Sequence, residues 1–379
     1  MSKVQYYYVK RQQSETGQTG TVTYDLPEAG VIPEIIVTPY STPTASTDPA
    51  LPLSEAITKI EIVDGATVIQ SLSGNEIKGL SMLRGDHDLA SPEVNDNGVE
   101  GHDDFRLLLG GFYNGTNYAP DFASFSNPQI KISWDYSITT GKRGETFDAD
   151  TTPAMKFTVL AKVIRDGRGY RNGYVKSSEL YTWTAAASTT TQIEIPRGEP
   201  LLGLGIEAGY DAKLFTDDCN QVKLDFDNGN WKPVELYADE VIASQQMWFK
   251  EPFEVSYMMD LISGVEIDTH MGYTTDVAMN ATAAAGRALS YVGGHGGVEA
   301  VYFSDVATPT TISTYEQVYV KSTGWCPYGV WYAPMSKILN GDGDTIDTTQ
   351  FSRIMLENTT SAAVSTASTP AVIAEYLIA

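Results

Sequence analysis

Residues 59–77 read KIEIVDGATVIQSLSGNEI, and this stretch decides the fold class. Apolar and polar residues alternate on both sides of a central Asp-Gly pair, which predicts two strands joined by a tight turn. Ser73 and Glu76 have the spacing of a capping box, so a short helix is expected to begin there. Residues 223–241, 164 positions later, read KLDFDNGNWKPVELYADEV and show the same succession. This recurrence indicates an internal repeat.

Two further blocks support the repeat, because they occur in the same order in both halves. An entry strand ends in Asp25-Leu26-Pro27 and again in Glu194-Ile195-Pro196, and a closing TPA strand begins at 152 and again at 369. Chance similarity between two β-rich halves is the alternative interpretation. The ungapped alignment pairs Lys59 with Lys223, Ile60 with Leu224, Gly65 with Gly229, Leu72 with Leu236 and Glu76 with Glu240, and the closing strands pair Leu160 with Leu377.

The chain has 379 residues, a hydrophobic fraction of 42% and a formal net charge of −23. This length is enough for one large or two ordinary domains. The negative charge argues against wrapping of nucleic acid, because phosphate binding needs clustered Lys and Arg. No apolar run is long enough to span a bilayer, and the first residues show no signal-peptide core. Cys219 and Cys326 are too few for a disulfide framework and are expected to be buried free thiols.

Many short strand patterns, separated by Gly and Pro turns and with few brief helices, are typical of antiparallel sandwiches. About eight strands per repeat predict an all-β chain of two tandem jelly-roll β-sandwiches, each built from two packed four-stranded sheets. Within the second sandwich, an Ala-rich stretch at 275–289 is helix-permissive. The predicted parts are an N-terminal arm (1–20), a first jelly roll (21–164), a linker (165–190) and a second jelly roll (191–379) with an insertion at about 251–312.

The familiar catalytic motifs are absent from the sequence. It contains no G-x-S-x-G elbow, no P-loop, no H-E-x-x-H and no C-x-x-C. His295 lies in a GGHGG run that faintly resembles part of an oxyanion hole, but without a nucleophile elbow the run is better explained as a loop tip. The sequence therefore predicts a protein that is not an enzyme.

The acidic segment 93–104 is the best candidate for an ion site. Glu93, Asn95, Asn97 and Asp104, with a glycine at 98, have the oxygen-ligand spacing of a calcium loop. Glu replaces Asp at the first position and Asp replaces Glu at the last, so a solvated acidic loop is the alternative. A second acidic loop at 342–347 has the same two interpretations.

Aromatic residues suggest two other possibilities. Six tryptophans on β-sandwiches could stack sugars, and a glycosidase would add two facing carboxylates, although tryptophan in strands more often belongs to the core. The first 20 residues could contact an acidic partner or a membrane surface, where basic and aromatic groups both sit well, or could be a terminus tied down by its tyrosines. The tryptophans are Trp134, Trp183, Trp231, Trp248, Trp325 and Trp331. In the first 20 residues, the basic residues are Lys3, Lys10 and Arg11, and they flank Tyr6, Tyr7 and Tyr8.

The pattern as a whole resembles the double jelly-roll major capsid proteins of tailless icosahedral viruses, a family that includes coat proteins of membrane-containing bacteriophages. The features that carry the resemblance are the two Pro-ended entry strands, the two strand–turn–strand–helix blocks and the two closing strands. It covers about residues 20–379. The insertion in the second repeat resembles the tower loops of that family, and the basic arm resembles its inward-facing N-terminal segment.

This resemblance implies a structural coat protein that forms homotrimers, in which three copies of two similar units give a pseudo-hexagonal capsomer that tiles a shell. Its partners would be further copies of itself in neighbouring capsomers, minor capsid or vertex proteins, and an internal membrane reached by the arm, without direct sequence-specific contact to nucleic acid. It would reside in the virion after assembly in the host cytoplasm. The alternatives are a carbohydrate-binding or carbohydrate-active sandwich and an adhesin or tail-associated module.

Overall fold

The structure is a computed structural model, and it is mostly β-sheet. It describes residues 3–42, 53–85, 93–95, 100–110, 118–138, 154–165, 173–209, 215–249, 252–260, 268–270, 289–293, 296–303, 317–339, 344–366 and 368–378. Its helices are short, with α1 at Leu53–Ala56, α2 at Gly74–Arg84, α3 at Phe215–Asp218, α4 at Asp239–Phe249 and α5 at Met335–Ile338. No helix in this part of the chain is long and apolar enough to cross a membrane.

The first half of the chain forms a sandwich of two sheets. One sheet has the order β1-β10-β3, with β7 and β8 both pairing β3, and the other has the order β2-β9-β4-β5. Apolar side chains of both sheets meet in one core, where the rings of Trp134 and Phe157 lie 5.4 Å apart. The strands are β1 (Lys3–Thr16), β2 (Thr19–Asp25), β3 (Val31–Thr42), β4 (Lys59–Asp64), β5 (Thr67–Leu72), β6 (Glu93–Asn95), β7 (Gly101–His102), β8 (Phe105–Leu108), β9 (Pro128–Asp135) and β10 (Ala154–Arg165).

The second half forms a second sandwich around its own core. Its sheets have the orders β11-β23-β13-β21 and β12-β22-β14-β15. The strands are β11 (Tyr174–Thr182), β12 (Thr190–Glu194), β13 (Leu201–Glu207), β14 (Gln221–Phe226), β15 (Trp231–Tyr237), β16 (Phe253–Asp260), β17 (Asp268–His270), β18 (Leu289–Gly293), β19 (Gly296–Phe303), β20 (Gln317–Gly324), β21 (Val330–Pro334), β22 (Ile354–Thr359) and β23 (Ala371–Ile378).

The two sandwiches match strand for strand, which confirms the predicted repeat and the predicted double jelly roll. The strand orders β1-β10-β3-β8 and β11-β23-β13-β21 are equivalent, as are β2-β9-β4-β5 and β12-β22-β14-β15. Even the registers agree. In the first sandwich Ile36, Leu160 and Tyr8 lie side by side, and in the second Gly205, Ile373 and Glu179 do so. Both edge strands then bulge one residue further on, at Val9 and at Leu180.

The registers also correct two parts of the sequence alignment. Ile60 lies opposite Leu72, and Val222 lies opposite Leu236, so the partner of Ile60 in the repeat is Val222 and not Leu224. The hairpin turn between β14 and β15 is therefore two residues longer than the turn between β4 and β5. The ungapped alignment is wrong for the strand that precedes the turn, β4 against β14. The sequence alignment of the closing strands is wrong by four residues. The equivalent residues Val37 and Ile206 lie beside Val159 and Val372, so Leu160 corresponds to Ile373 and not to Leu377.

The insertion in the second sandwich has a sheet of its own, with the order β16-β20-β19-β18. Its last strand in sequence, β20, ends at Gly324 and pairs with β16 and β19. Residues 275–288 of the Ala-rich stretch lie outside the described residues. The predicted arm contains β1 and the predicted linker contains β11, and each of these strands belongs to a sandwich sheet. The domain boundaries themselves stay a prediction.

Candidate assembly surfaces

The two sandwiches join edge to edge through β5 and β11. These strands run parallel, with Gln70 beside Ser177 and Ser71 beside Ser178. The contact links one sheet of each sandwich into a single sheet with the order β2-β9-β4-β5-β11-β23-β13-β21. The junction between the units is therefore built from backbone pairing of two edge strands.

A buried ionic cluster stands beside this junction. The guanidinium of Arg84, at the end of α2, contacts the carboxylate of Glu375 on β23, and both side chains are almost fully buried. Glu375 also accepts hydrogen bonds from Ser177 Oγ at 2.7 Å and from the Tyr332 hydroxyl at 2.5 Å. Arg84 donates a further bond to the Leu108 carbonyl. Burial, and next the charge of Glu375, raise the pKa of Tyr332 well above its ordinary value, so the phenol stays a donor.

Helix α2 belongs to the first sandwich but packs against the second. A Cβ on Gly79 would lie 2.4 Å from Val330 Cγ2, so only glycine allows this approach. The ammonium of Lys78 lies 5.4 Å from the ring centroid of Tyr328 and 2.5 Å from Asp103, and burial raises the pKa of Asp103 while the ammonium opposes that effect. The whole of α2 is buried.

The predicted capping box holds the start of α2 in place. The Ser73 hydroxyl accepts a bond from the Glu76 amide at 3.2 Å, and the Glu76 carboxylate accepts one from the Ser73 amide at 2.7 Å. Ser73 also donates to Glu207 of the second sandwich at 3.4 Å. The element singled out from the sequence is thus part of the junction between the units.

Large apolar side chains are exposed at four places among the described residues. Such clusters mark contact surfaces when they lie close together. The largest group lies on β1, where both faces of the strand are open over most of its length. The predicted basic-aromatic arm is a strand of the first sandwich, because β1 pairs with β10, and the Lys10 ammonium lies 5.4 Å from the centroid of the Tyr24 ring. The exposed residues are Val4, Tyr6, Tyr7 and Tyr8 on β1, Tyr181 on β11, Tyr237 on β15 and Met247 on α4.

The predicted calcium-loop residues are only partly described. Glu93 and Asn95 bound β6, which pairs with β17, and Asn97 lies outside the described residues. The Asp104 carboxylate accepts a bond from Thr38 Oγ1 at 2.5 Å. Among the residues whose positions are given, no group of three or more His, Cys, Asp or Glu could hold a metal ion. The calcium site stays a prediction.

The tryptophans and cysteines belong to the cores. Trp134 lies in the first core, Trp183, Trp325 and Trp331 lie in the second, and Trp231 and Trp248 pack against the second. Cys219 and Cys326 are buried and form no disulfide, as predicted. The alternative of a sugar-stacking platform therefore loses the residues that suggested it.

Two pairs of aspartates make equivalent structural hydrogen bonds that the sequence patterns did not predict, although Asp64 belongs to the predicted turn and Asp347 to the acidic loop 342–347. Asp121 and Asp347 each cap a 3-10 turn by accepting an amide bond two residues later, at 3.1 and 3.0 Å. Asp64 and Asp227 each accept two amide bonds from the segment that follows such a turn. The signal for the first pair is the shared pattern D-x-x-x-F-S at 121–126 and 347–352. It is another block of the repeat.

The fold is similar to solved structures, although no sequence comparison finds a match. No protein-family model matches the chain, and no curated protein matches it by sequence. Among solved structures, the STIV major capsid protein is 10% identical, with a TM-score of 0.57, over 99% of this chain and 96% of that one. VP54 of PBCV-1, fitted into a reconstruction of the virophage Sputnik, is 9% identical, with a TM-score of 0.57, over 99% and 94%.

The major capsid protein of bacteriophage PM2 is a third solved structure of this kind. It is 10% identical, with a TM-score of 0.50, over 99% of this chain and 97% of that one. At such identities the likeness concerns the fold alone. The chain has the double jelly-roll fold found in viral major capsid proteins, and the resemblance inferred from the sequence is confirmed at this level.

Proposed function

We propose that the chain is a major capsid protein whose homotrimers form pseudo-hexagonal capsomers of an icosahedral shell. The observation that carries the proposal is the match to capsid proteins along nearly the full length of both chains. Capsid proteins are structural proteins, and the lack of known catalytic motifs in the sequence agrees with a structural role. Fold alone does not define function, so the surfaces must support the role as well.

The arrangement of the units supports tiling. Each chain contributes two similar sandwiches joined edge to edge, so three chains contribute six wedges of similar shape. The apolar side chains on β1, β15 and α4 provide surface for contacts between copies. The net charge of −23 limits nonspecific association of free subunits.

The proposed partners follow from this role. They are further copies in the same and neighbouring capsomers, minor capsid or vertex proteins, and an internal membrane near the N-terminal strand, where Lys3, Lys10 and Arg11 lie. Cations at the acidic loops 93–104 and 342–347 would reduce repulsion between copies. Assembly in the host cytoplasm and residence in the virion belong to the same proposal.

The test is the association state of the purified protein. Sedimentation velocity is expected to show a trimer, and negative-stain images at high concentration are expected to show hexagonal arrays or shells. A stable monomer at high protein concentration would contradict the proposal.

A further inference from the structure

Among the described residues, the two strands equivalent to those of the internal junction each pair with a neighbour on one side only. Strand β5 pairs with β11, and their equivalents in the repeat are β15 and β1. Within the described residues, β1 and β15 are the outermost strands of their sheets. Each chain therefore has an open sheet edge at β15, the equivalent of β5, and another at β1, the equivalent of β11.

Side-chain exposure shows that β1 lacks a contact that β11 has. The register matches Val4 to Val175 and Tyr6 to Ser177. Val4 is 53% exposed whereas Val175 is 1% exposed, although both are valine. Tyr6 is 61% exposed whereas Ser177 is 2% exposed. The positions that the second sandwich buries beside the junction carry large apolar side chains in the first, and these side chains are open.

The two equivalent helices, α2 and α4, also differ in side-chain exposure. Glu76 and Glu240 each accept an amide bond from the residue three positions earlier, so they mark equivalent places. Seven residues later, Leu83 is 4% exposed and Met247 is 77% exposed. Helix α2 is covered by the second sandwich of its own chain, whereas the end of α4 has no such cover among the described residues.

We infer that β15 of one copy receives β1 of the next copy, that α4 packs against the sandwich that carries this β1, and that the contact repeats the internal junction between chains. The inference rests on the proposed trimer and gives its interface. The register of the internal junction, carried over through the repeat, places Tyr6 beside Val234 and Tyr7 beside Glu235 of the neighbouring copy. The contact joins unlike surfaces head to tail, and such contacts form a ring when the rotation between copies closes, as the proposed trimer requires.

The charges of the two surfaces are complementary. Residues with opposite charge across an interface speed association and fix the register. Pro233 has no N–H to donate, so the new pairing is short, like the two-residue pairing inside the chain. Strand β1 carries Lys3, Lys10 and Arg11 against Glu15, whereas β15 and the first turn of α4 carry Glu235, Asp239 and Glu240 against Lys232.

Disulfide trapping tests the register directly. Neighbouring strands lie about 4.8 Å apart, which is within the Cα separation that a disulfide spans. The variant Tyr7→Cys/Glu235→Cys is oxidised and run on a non-reducing gel. Most chains are expected in linked dimers and trimers with no longer ladder, because the ring closes at three. The native cysteines are buried and should not contribute.

A matched pair controls for chance contact. Tyr181→Cys/Glu235→Cys has an equally open tyrosine on β11, which the inference leaves outside the interface, and it should stay unlinked. A trimer by sedimentation that shows no Tyr7–Glu235 link would overturn the inference and leave the proposed function standing. A monomer without a link would overturn both.

A second pair of variants measures the contact without crosslinking. Met247→Asp places a charge at the proposed interface and is expected to weaken trimer association at least about tenfold. Tyr181→Asp changes an exposed site elsewhere and should leave association unchanged. Equal association constants for the two variants would contradict the inference, and an unchanged circular dichroism spectrum confirms that both chains are folded.

Discussion

Asp64 and Asp227 accept equivalent backbone hydrogen bonds in the two sandwiches. Asp64 accepts bonds from the amides of Ser126 and Asn127, at 3.0 and 2.6 Å. Asp227 accepts bonds from the amides of Ser352 and Arg353, at 2.6 and 3.2 Å. Each carboxylate ties a hairpin turn to the start of the neighbouring strand. The Asp-Gly and Asp-Asn-Gly turns are therefore scaffold features.

Asp227 should make stability depend on acid pH. The Ser352 hydroxyl, and next the amides of Ser352 and Arg353, hold its pKa below the ordinary 3.8. The ionised carboxylate thus favours the folded state above about pH 4, and this contribution is lost as the pH falls through the lowered folded pKa. We expect Asp227→Asn to be less stable than wild type in urea at about pH 6, and the difference to shrink towards pH 3.

Asp25→Asn serves as the control for that experiment. Asp25 is an exposed carboxylate that accepts one bond from the Gln129 side-chain amide, which an asparagine oxygen can also accept. At about pH 6 its difference from wild type should be smaller than that of Asp227→Asn. A difference for Asp227→Asn that stays constant between the two pH values would show that the charge is not involved.

At the scale of elements, the hairpin and its helix were predictable, whereas strand register was not. Side chains in a strand repeat with a period of two residues, so a slip of two or four positions leaves the same residues on the same face. This is why Leu224 could be aligned with Ile60 and Leu377 with Leu160 without any conflict in hydrophobic pattern. Only the backbone pairing shows that the partners are Val222 and Ile373.

The capping box of α2 gives a prediction at this scale. Ser73→Ala removes the hydroxyl that accepts the Glu76 amide, and N-cap losses of this kind cost about 1 kcal/mol. The free energy of unfolding from urea titration measures the loss. Ser81→Ala lies in the same helix and removes only a bond to the Lys78 carbonyl, so its loss should be smaller. A larger loss for Ser81→Ala would show that the cap does not hold the helix.

At the scale of the molecule, the chain is two copies of one sandwich held by a specific junction. The parallel pairing of β5 with β11 joins the edges of the two sandwiches. The buried cluster of Arg84, Glu375, Ser177 and Tyr332 lies beside this pairing. Removing one partner of a buried ion pair is strongly destabilising, because the other charge stays buried without compensation. The junction therefore fixes how the two units are placed.

Glu375→Gln tests the junction. The amide can still bond Ser177 or Tyr332, but it leaves the Arg84 guanidinium without its carboxylate, and a broken buried pair costs about 3–5 kcal/mol. Lys59→Met removes the more exposed Lys59–Glu61 pair at 4.0 Å and should cost less than about 1 kcal/mol. Urea titrations compare the two variants. Equal and small losses would mean that the junction does not depend on the ion pair.

The sequence by itself determined the all-β class, the repeat and the capping of α2, because alternation, turn residues and side-chain caps are local properties of the chain. The stretch 59–77 was enough to mark both sandwiches. Tertiary structure alone decided the register of the strands, the parallel β5–β11 pairing and the burial of Arg84 against Glu375. Backbone hydrogen bonds between edge strands are the same for every residue except proline, so the sequence carries little record of which edges meet.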